Sequence, residues 1–229
     1  MLHKTRGIVL NYTKYRETSI IVHVYTEAFG VQSYIVNSVR SKQAKSKMAL
    51  FQPLTLLALV VYHKKAGNIH RIAEQRCAHP FETIPFKVKK SGVALFITEL
   101  LSKVVKEEES NTPLFEFLWQ SVIIYDSMPA GYENFHLQFM LKLCGFLGIA
   151  PQDANTIYTE THEMVNDEQL AVEEKAVIDQ LLQNEYLKPV AISNAMRHEV
   201  LDTLLTFYRL HVASFTDLKS YPVLQEVMR

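Results

Sequence analysis

The feature that most limits this chain is a change of hydrophobic period at "AHPFETIPFK", residues 78–87. Before it, short runs rich in Val, Ile, Tyr and Thr alternate with turn formers: "GIVLNY" (7–12), "TSIIVHVYT" (18–26), "VQSYIVNS" (31–38), "PLTLLALVVYH" (53–63) and "NIHRIAEQRC" (68–77). These compositions favour strands. Ala28-Phe29-Gly30 and Ala66-Gly67-Asn68 read as hairpin connections, since Gly and Asn tolerate positive φ. After the change, Val93, Phe96, Ile97, Leu100, Leu101 and Val104 recur at helical spacing on one face. Pro80 and Pro85 suit neither a strand nor a helix interior, so the domain boundary falls there. The expected fold class is multidomain α and β, with a five-stranded barrel over residues 1–80 and an α-helical domain over 81–229. Closure would remove exposed strand edges. An SH3-like barrel would show the same strand count.

In the second half, Thr112-Pro113 reads as an N-cap with proline at the first helical position. Asn134 is the expected cap of "FHLQFMLKLCGFLG", which stops at Gly148 ahead of Pro151. Ser193 or Asn194 opens a helix whose stripe is Leu201, Leu204, Leu205, Tyr208 and Val212. Residues 151–171 are polar and acidic without a steady period, so an irregular subdomain is expected there, then a short helix near 172–184.

The formal net charge is zero, but its distribution is lopsided. Residues 1–80 carry twelve Lys/Arg against three Glu, twelve minus three or +9, so the remainder carries −9. From Ala28 to Ala73 there is no carboxylate, while seven Lys/Arg fall in that interval. Ordinary soluble surfaces mix both signs, so this depletion points to a polyanionic partner. The basic run "SVRSKQAKSK" (38–47) joins the third and fourth strands and supplies Arg40, Lys42, Lys45 and Lys47. A small barrel binds single strands by following phosphates with cations and stacking bases on aromatics. Tyr15, in the polar turn "TKYRET", and Tyr34 are the stacking candidates.

Bond-breaking chemistry has little material. The basic half holds three acids spread over 58 positions, and no phosphate-loop glycine motif occurs among the seven glycines. "ETHE" offers His162 with Glu160 and Glu163 but no second histidine or cysteine at ligand spacing. "KEEES" (106–110) reads as a solvated connection. Cys77 and Cys144 have no partner spacing and read as small core hydrophobes in a reducing compartment. No secretory leader is apparent, and the longest apolar stretch, at 54–62, is far shorter than the roughly 20 residues of a bilayer helix.

"TRGIVLNYTKYRETSIIVHVYTEAFGVQSYIV" and "FQPLTLLAL" resemble the N-terminal half of the bacterial recombination mediator family RecO. "FITELLSKVV", "FMLKLCGFLGIAPQ" and "LLTFYRLHVASFTDLKSYPVLQEVM" are similar to successive landmarks of its helical half, in the same order. The resemblance implies an OB-fold barrel and a non-enzymatic, cytoplasmic, nucleoid-associated role in DNA repair. It implies binding of single- and double-stranded DNA, strand annealing, and work with RecR to help RecA replace single-stranded DNA-binding protein. Carried over by position, Arg40, Lys42, Lys45 and Lys47 become DNA contacts, with Arg6, Arg16, Lys64, Lys65 and Arg71 beside them. Contact with the acidic, hydrophobic C-terminal tail of single-stranded DNA-binding protein would need cations on the helical half, for which Lys142, Arg197 and Arg209 are candidates. Many members carry four zinc-binding cysteines where residues 151–171 here have none, so neither metal nor cofactor is expected. Complementary +9 and −9 halves leave open a second reading, an interaction scaffold whose basic barrel docks on an acidic protein surface.

Overall fold

The computed structural model describes residues 1–39, 45–63, 68–161 and 168–229, with the side chains of 45, 46 and 168–170 outside the description. Five strands form the first half: β1 (Leu2–Tyr15), β2 (Ser19–Thr26), β3 (Gly30–Val36), β4 (Leu56–Tyr62) and β5 (His70–His79). They close in the order β1-β2-β3-β5-β4. β3 and β5 run parallel, and a short helix α1 (Lys45–Ala49) lies between β3 and β4. This order, with the helix in that place, is the OB arrangement and removes the SH3-like alternative.

β1 serves two neighbours. Leu2–Ile8 pair with β4 and Gly7–Tyr15 with β2, so the strand bends across the barrel. Gly7 sits at the overlap, where a Cβ would come within 2.6 Å of Val24 and 2.9 Å of Leu59. The β1–β2 register shifts between Val9 and Asn11. A bulge of this kind re-aims a side chain, and Leu10 joins the helical core while Val9 stays with the barrel interior. Two apolar clusters result. One fills the barrel with Val22, Val24, Tyr34, Leu57 and Val61; the other runs from Ile8, Leu10, Tyr25, Leu54 and Leu56 on the outer wall into the helices.

The helical half comprises α2 (Val88–Val104), α3 (Thr112–Ser127), α4 (Phe135–Phe146), α5 (Ala154–Thr161), α6 (Glu168–Gln183), α7 (Asn194–His211) and α8 (Tyr221–Met228). All six stripe residues expected on α2 are buried. Ser193 caps α7 by accepting from Met196 N at 3.1 Å, as expected. The cap of α3 is Asn111 rather than Thr112, its Oδ1 accepting from Leu114 N at 3.1 Å. Asn134 takes the N-cap position of α4 as expected but makes no side-chain cap bond: a 3₁₀ turn leads into that helix, and the Asn134 amide is turned to Val190 O and Arg197.

Residues 151–171 include a helix that the missing period concealed. Ala154, Ile157 and Tyr158 of α5 are its buried positions, Ala154 N donates to Asp179 of α6, and Lys175 Nζ lies 4.5 Å from the Tyr158 ring centroid. Zinc does not suit this segment, which contains no cysteine, and packing against α6 and α7 holds it instead. Of "ETHE", Glu160 accepts from His211 at 2.6 Å, while His162 and Glu163 lie outside the described residues.

The proline-containing connection is clamped. The Asp126 carboxylate accepts from the amides of Glu82, Thr83 and Ile84, which holds its pKa below the usual carboxylate range against the opposing effect of burial. Lys90 is fully buried and donates to Thr83 Oγ1, Tyr125 O, Asp126 O and Met128 O at 2.7–2.9 Å, tying the end of α3 to α2. A buried ammonium is tolerated only when so surrounded.

Candidate nucleic-acid interface

Three rungs cross the outer wall of β1, β2 and β3. Thr13, Ile21 and Ile35 align with Arg71 of β5; next come Asn11, His23 and Ser33; then Ile8, Tyr25 and Val31. The third rung is covered, with Tyr25 buried and its ring 6.0 Å from Phe115 of α3. The second is partly open, Asn11 donating to Ser102 of α2 and Ser33 bonding His23 at 2.9 Å. Burial lowers the His23 pKa, so the ring on this rung stays neutral near pH 7. On the first rung Thr13 and Arg71 are exposed and Ile21 and Ile35 half-buried, and the β2–β3 wall is the surface on which OB barrels bind oligonucleotides.

At the open end, the β1–β2 turn carries Arg16 at φ 52°, its guanidinium 5.2 Å from the ring of half-buried Tyr15. Ser19 Oγ donates to Asn37 Oδ1, so the basic segment after β3 leaves from this same end. Lys47 on α1 and Arg71 are exposed and belong to none of the ion pairs of the described residues. Arg40, Lys42, Lys64 and Lys65 lie outside the described residues, as does the side chain of Lys45. His63, at the root of the β4–β5 connection, stacks on Phe29 with centroids 4.0 Å apart and lies 4.6 Å from His70, a ring pile that the sequence did not announce.

Several sequence candidates are corrected. Tyr34 is fully buried in the barrel interior because it points inward on β3, so it offers no stacking face. Arg6 is engaged elsewhere: its guanidinium donates to both Glu27 oxygens at 2.8–2.9 Å and to Glu116 of α3, and lies 5.0 Å from the Phe115 ring and 5.1 Å from the Trp119 ring. Hydrogen bonding to Glu27, then to Glu116, raises its pKa, and Glu27 is lowered in return. Arg6 is therefore an interdomain tie. Arg197 is 8% exposed and bonds Asn134, Asn194 and Ile192 O, so it braces α7 rather than meeting a partner. Lys142 lies over Tyr186 with Glu185 at 3.8 Å, and Arg209 pairs with Asp217 at 3.2 Å; the three do not converge. Cys77 is exposed on β5 rather than in the core, whereas Cys144 is buried and its thiol is pushed up to about 11 by burial.

The features missed from sequence follow burial. Lys90 sits in step with Ala94, Ile97 and Leu101 on the α2 stripe, a legible sign that its ammonium would be enclosed. A groove of about 490 Å³ at the barrel–helix junction, walled by Tyr12, Phe51, Leu95 and Val223, needed the tertiary structure to appear. None of the three helical cations lines it.

Comparison with known families decides the identity of this architecture. Residues 1–81 match the family described as Recombination protein O N terminal, and residues 86–222 the one described as Recombination protein O C terminal. This chain belongs to the RecO family. Similar relatives, each called DNA repair protein RecO, come from Bacteroides fragilis at 35% identity and Phocaeicola vulgatus at 34%, with 99% of both chains covered in each case. A Flavobacterium psychrophilum relative is 33% identical over 98% of both chains. The RecO boundary between matched regions, residues 82–85, coincides with the segment clamped by Asp126. This RecO-family chain is a DNA repair protein with an OB-like barrel, and among its described residues no helix is long and apolar enough to cross a membrane.

Proposed function

We propose that this chain is a recombination mediator that binds single- and double-stranded DNA on the open end of its barrel wall and anneals complementary strands. The observation that carries this reading is the rung Thr13, Ile21, Ile35 and Arg71, whose two ends are exposed, beside Arg16, Tyr15 and the basic segment that continues to Lys47. Family membership supports the rest: work with RecR, contact with the tail of single-stranded DNA-binding protein, and loading of RecA, none of which calls for bond-breaking groups in this chain. The scaffold reading is weaker, because Arg6 already answers its acidic partner within the same chain.

The test is a titration of a labelled single-stranded oligonucleotide at several salt concentrations. Each phosphate neutralised contributes about −0.7 to the slope of log K against log salt. Replacing Arg16, Lys47 and Arg71 together with Ala should make the slope less negative by about 2 and slow annealing in parallel. An unchanged slope and annealing rate in that variant would remove the interface, and salt-labile self-association without oligonucleotide binding would favour the scaffold.

A further inference from the structure

The segment Glu107–Ser110 between α2 and α3, read from sequence as a solvated connection, lies against the barrel. Val31 N donates to Glu107 O at 2.8 Å, and Ser110 Oγ donates to Glu27 O at 2.8 Å. Gly30, at φ +62°, makes room: a Cβ there would come within 2.2 Å of Glu107 O and 2.6 Å of Glu109 O. The strap is thus held through its backbone and Ser110, leaving the side chains of Glu107, Glu108 and Glu109 exposed. Glu108 shares with Asn11, His23 and Val31 a recess of about 280 Å³ on the second and third rungs of the wall. Lys106 lines the same recess and offsets one of the three carboxylates, which leaves the strap net negative. Lys106 Nζ turns back to Ser102 O at 2.5 Å, and Arg6 is occupied by Glu27 and Glu116.

We propose that this strap is an electrostatic stop on the DNA track. Resting on the DNA-binding reading above, it holds phosphates away from the β2–β3 turn and confines the strand to the end that carries Arg16, Arg71 and Lys47. Repulsion between exposed charges reaches about 8–10 Å at physiological ionic strength, so the stop governs the next one or two phosphates and not the whole strand. It sets where the bound strand ends and keeps the affinity low enough for the strand to be passed on.

The experiment compares the chain with its E107Q/E108Q/E109Q variant, which removes charge while keeping the backbone contacts. Binding of a long single-stranded oligonucleotide should tighten about tenfold at low salt, with the gain disappearing near 0.5 M salt. The number of nucleotides covered per chain should rise by one or two. Gly30→Ala, which forces the strap off the barrel with its charges intact, should lengthen the footprint in the same direction. Unchanged affinity and footprint in both variants, with the parent still binding in a salt-dependent way, would overturn the stop and leave the DNA reading standing. A gain that persists undiminished in high salt would also overturn it, since the effect would not be electrostatic. Absence of oligonucleotide binding by the parent chain would instead bring down the underlying reading.

Discussion

Arg6 and Arg71 sit on the outer wall of one barrel and have opposite fates. Arg6 lies under α3, stacked on Phe115 and Trp119 and bonded to Glu27 and Glu116. Arg71 is exposed at the end of the first rung and enters none of the ion pairs of the described residues. The formal +9 of the first half is therefore not the charge available to a ligand. Helices seal one stretch of wall and turn its cation into structure, while Arg71 and Lys47 on the other stretch stay exposed.

The contrast breaks most visibly at the seal itself. Phe115→Ala removes a fully buried ring between Tyr25 and Trp119 and should cost about 3–5 kcal/mol. Urea unfolding should then separate into two transitions, while oligonucleotide binding at low denaturant persists. A single transition with unchanged stability would mean the two halves are not joined there.

Acid tests the helical side through His136. His136 is fully buried beside Arg197 and His198, and burial, followed by those neighbours, lowers its pKa from 6.5 to about 3. The unfolded chain therefore takes up a proton that the folded chain refuses between those values. Stability should be full above pH 6.5 and fall by about 1.4 kcal/mol per pH unit below it from this group. His23 and His63, also lowered chiefly by burial, act in the same direction, so His136→Leu isolates the effect by flattening the stability profile between pH 6.5 and 4.5. Equal slopes in parent and variant would show that His136 is not enclosed as described.

The finest comparison is Arg6→Met against Arg71→Met. The first should cost about 1–2 kcal/mol, because half-exposed Glu27 and Glu116 lose a shared partner, with little change in the salt slope of DNA binding. The second should alter stability by less than about 0.5 kcal/mol and reduce the magnitude of that slope by about 0.7. Identical behaviour of the two variants in both measurements would erase the distinction between sealed and open wall.

Much of this organisation was legible in residue order. Alternation and helical spacing depend on neighbours along the chain, so the five strands, the change of period at residues 78–87 and the α2 stripe could be read directly. The α3 cap missed by one residue, since Asn111 and Thr112 are both good caps and only the local fold chooses. Helix α5 was hidden because its few buried positions are supplied with contacts by α6 and α7, which its own pattern does not show.

What the sequence alone determined is the β-to-α division and the depletion of carboxylates from Ala28 to Ala73, because both are properties of residue order and composition. Which cations face outward was decided by tertiary structure: strand parity turned Tyr34 inward, α3 placed Glu116 on Arg6, and backbone contacts fixed Glu107–Glu109 at one end of the wall. Charge acts through distance and solvent exposure, and those quantities exist only once residues far apart in the chain have been brought together.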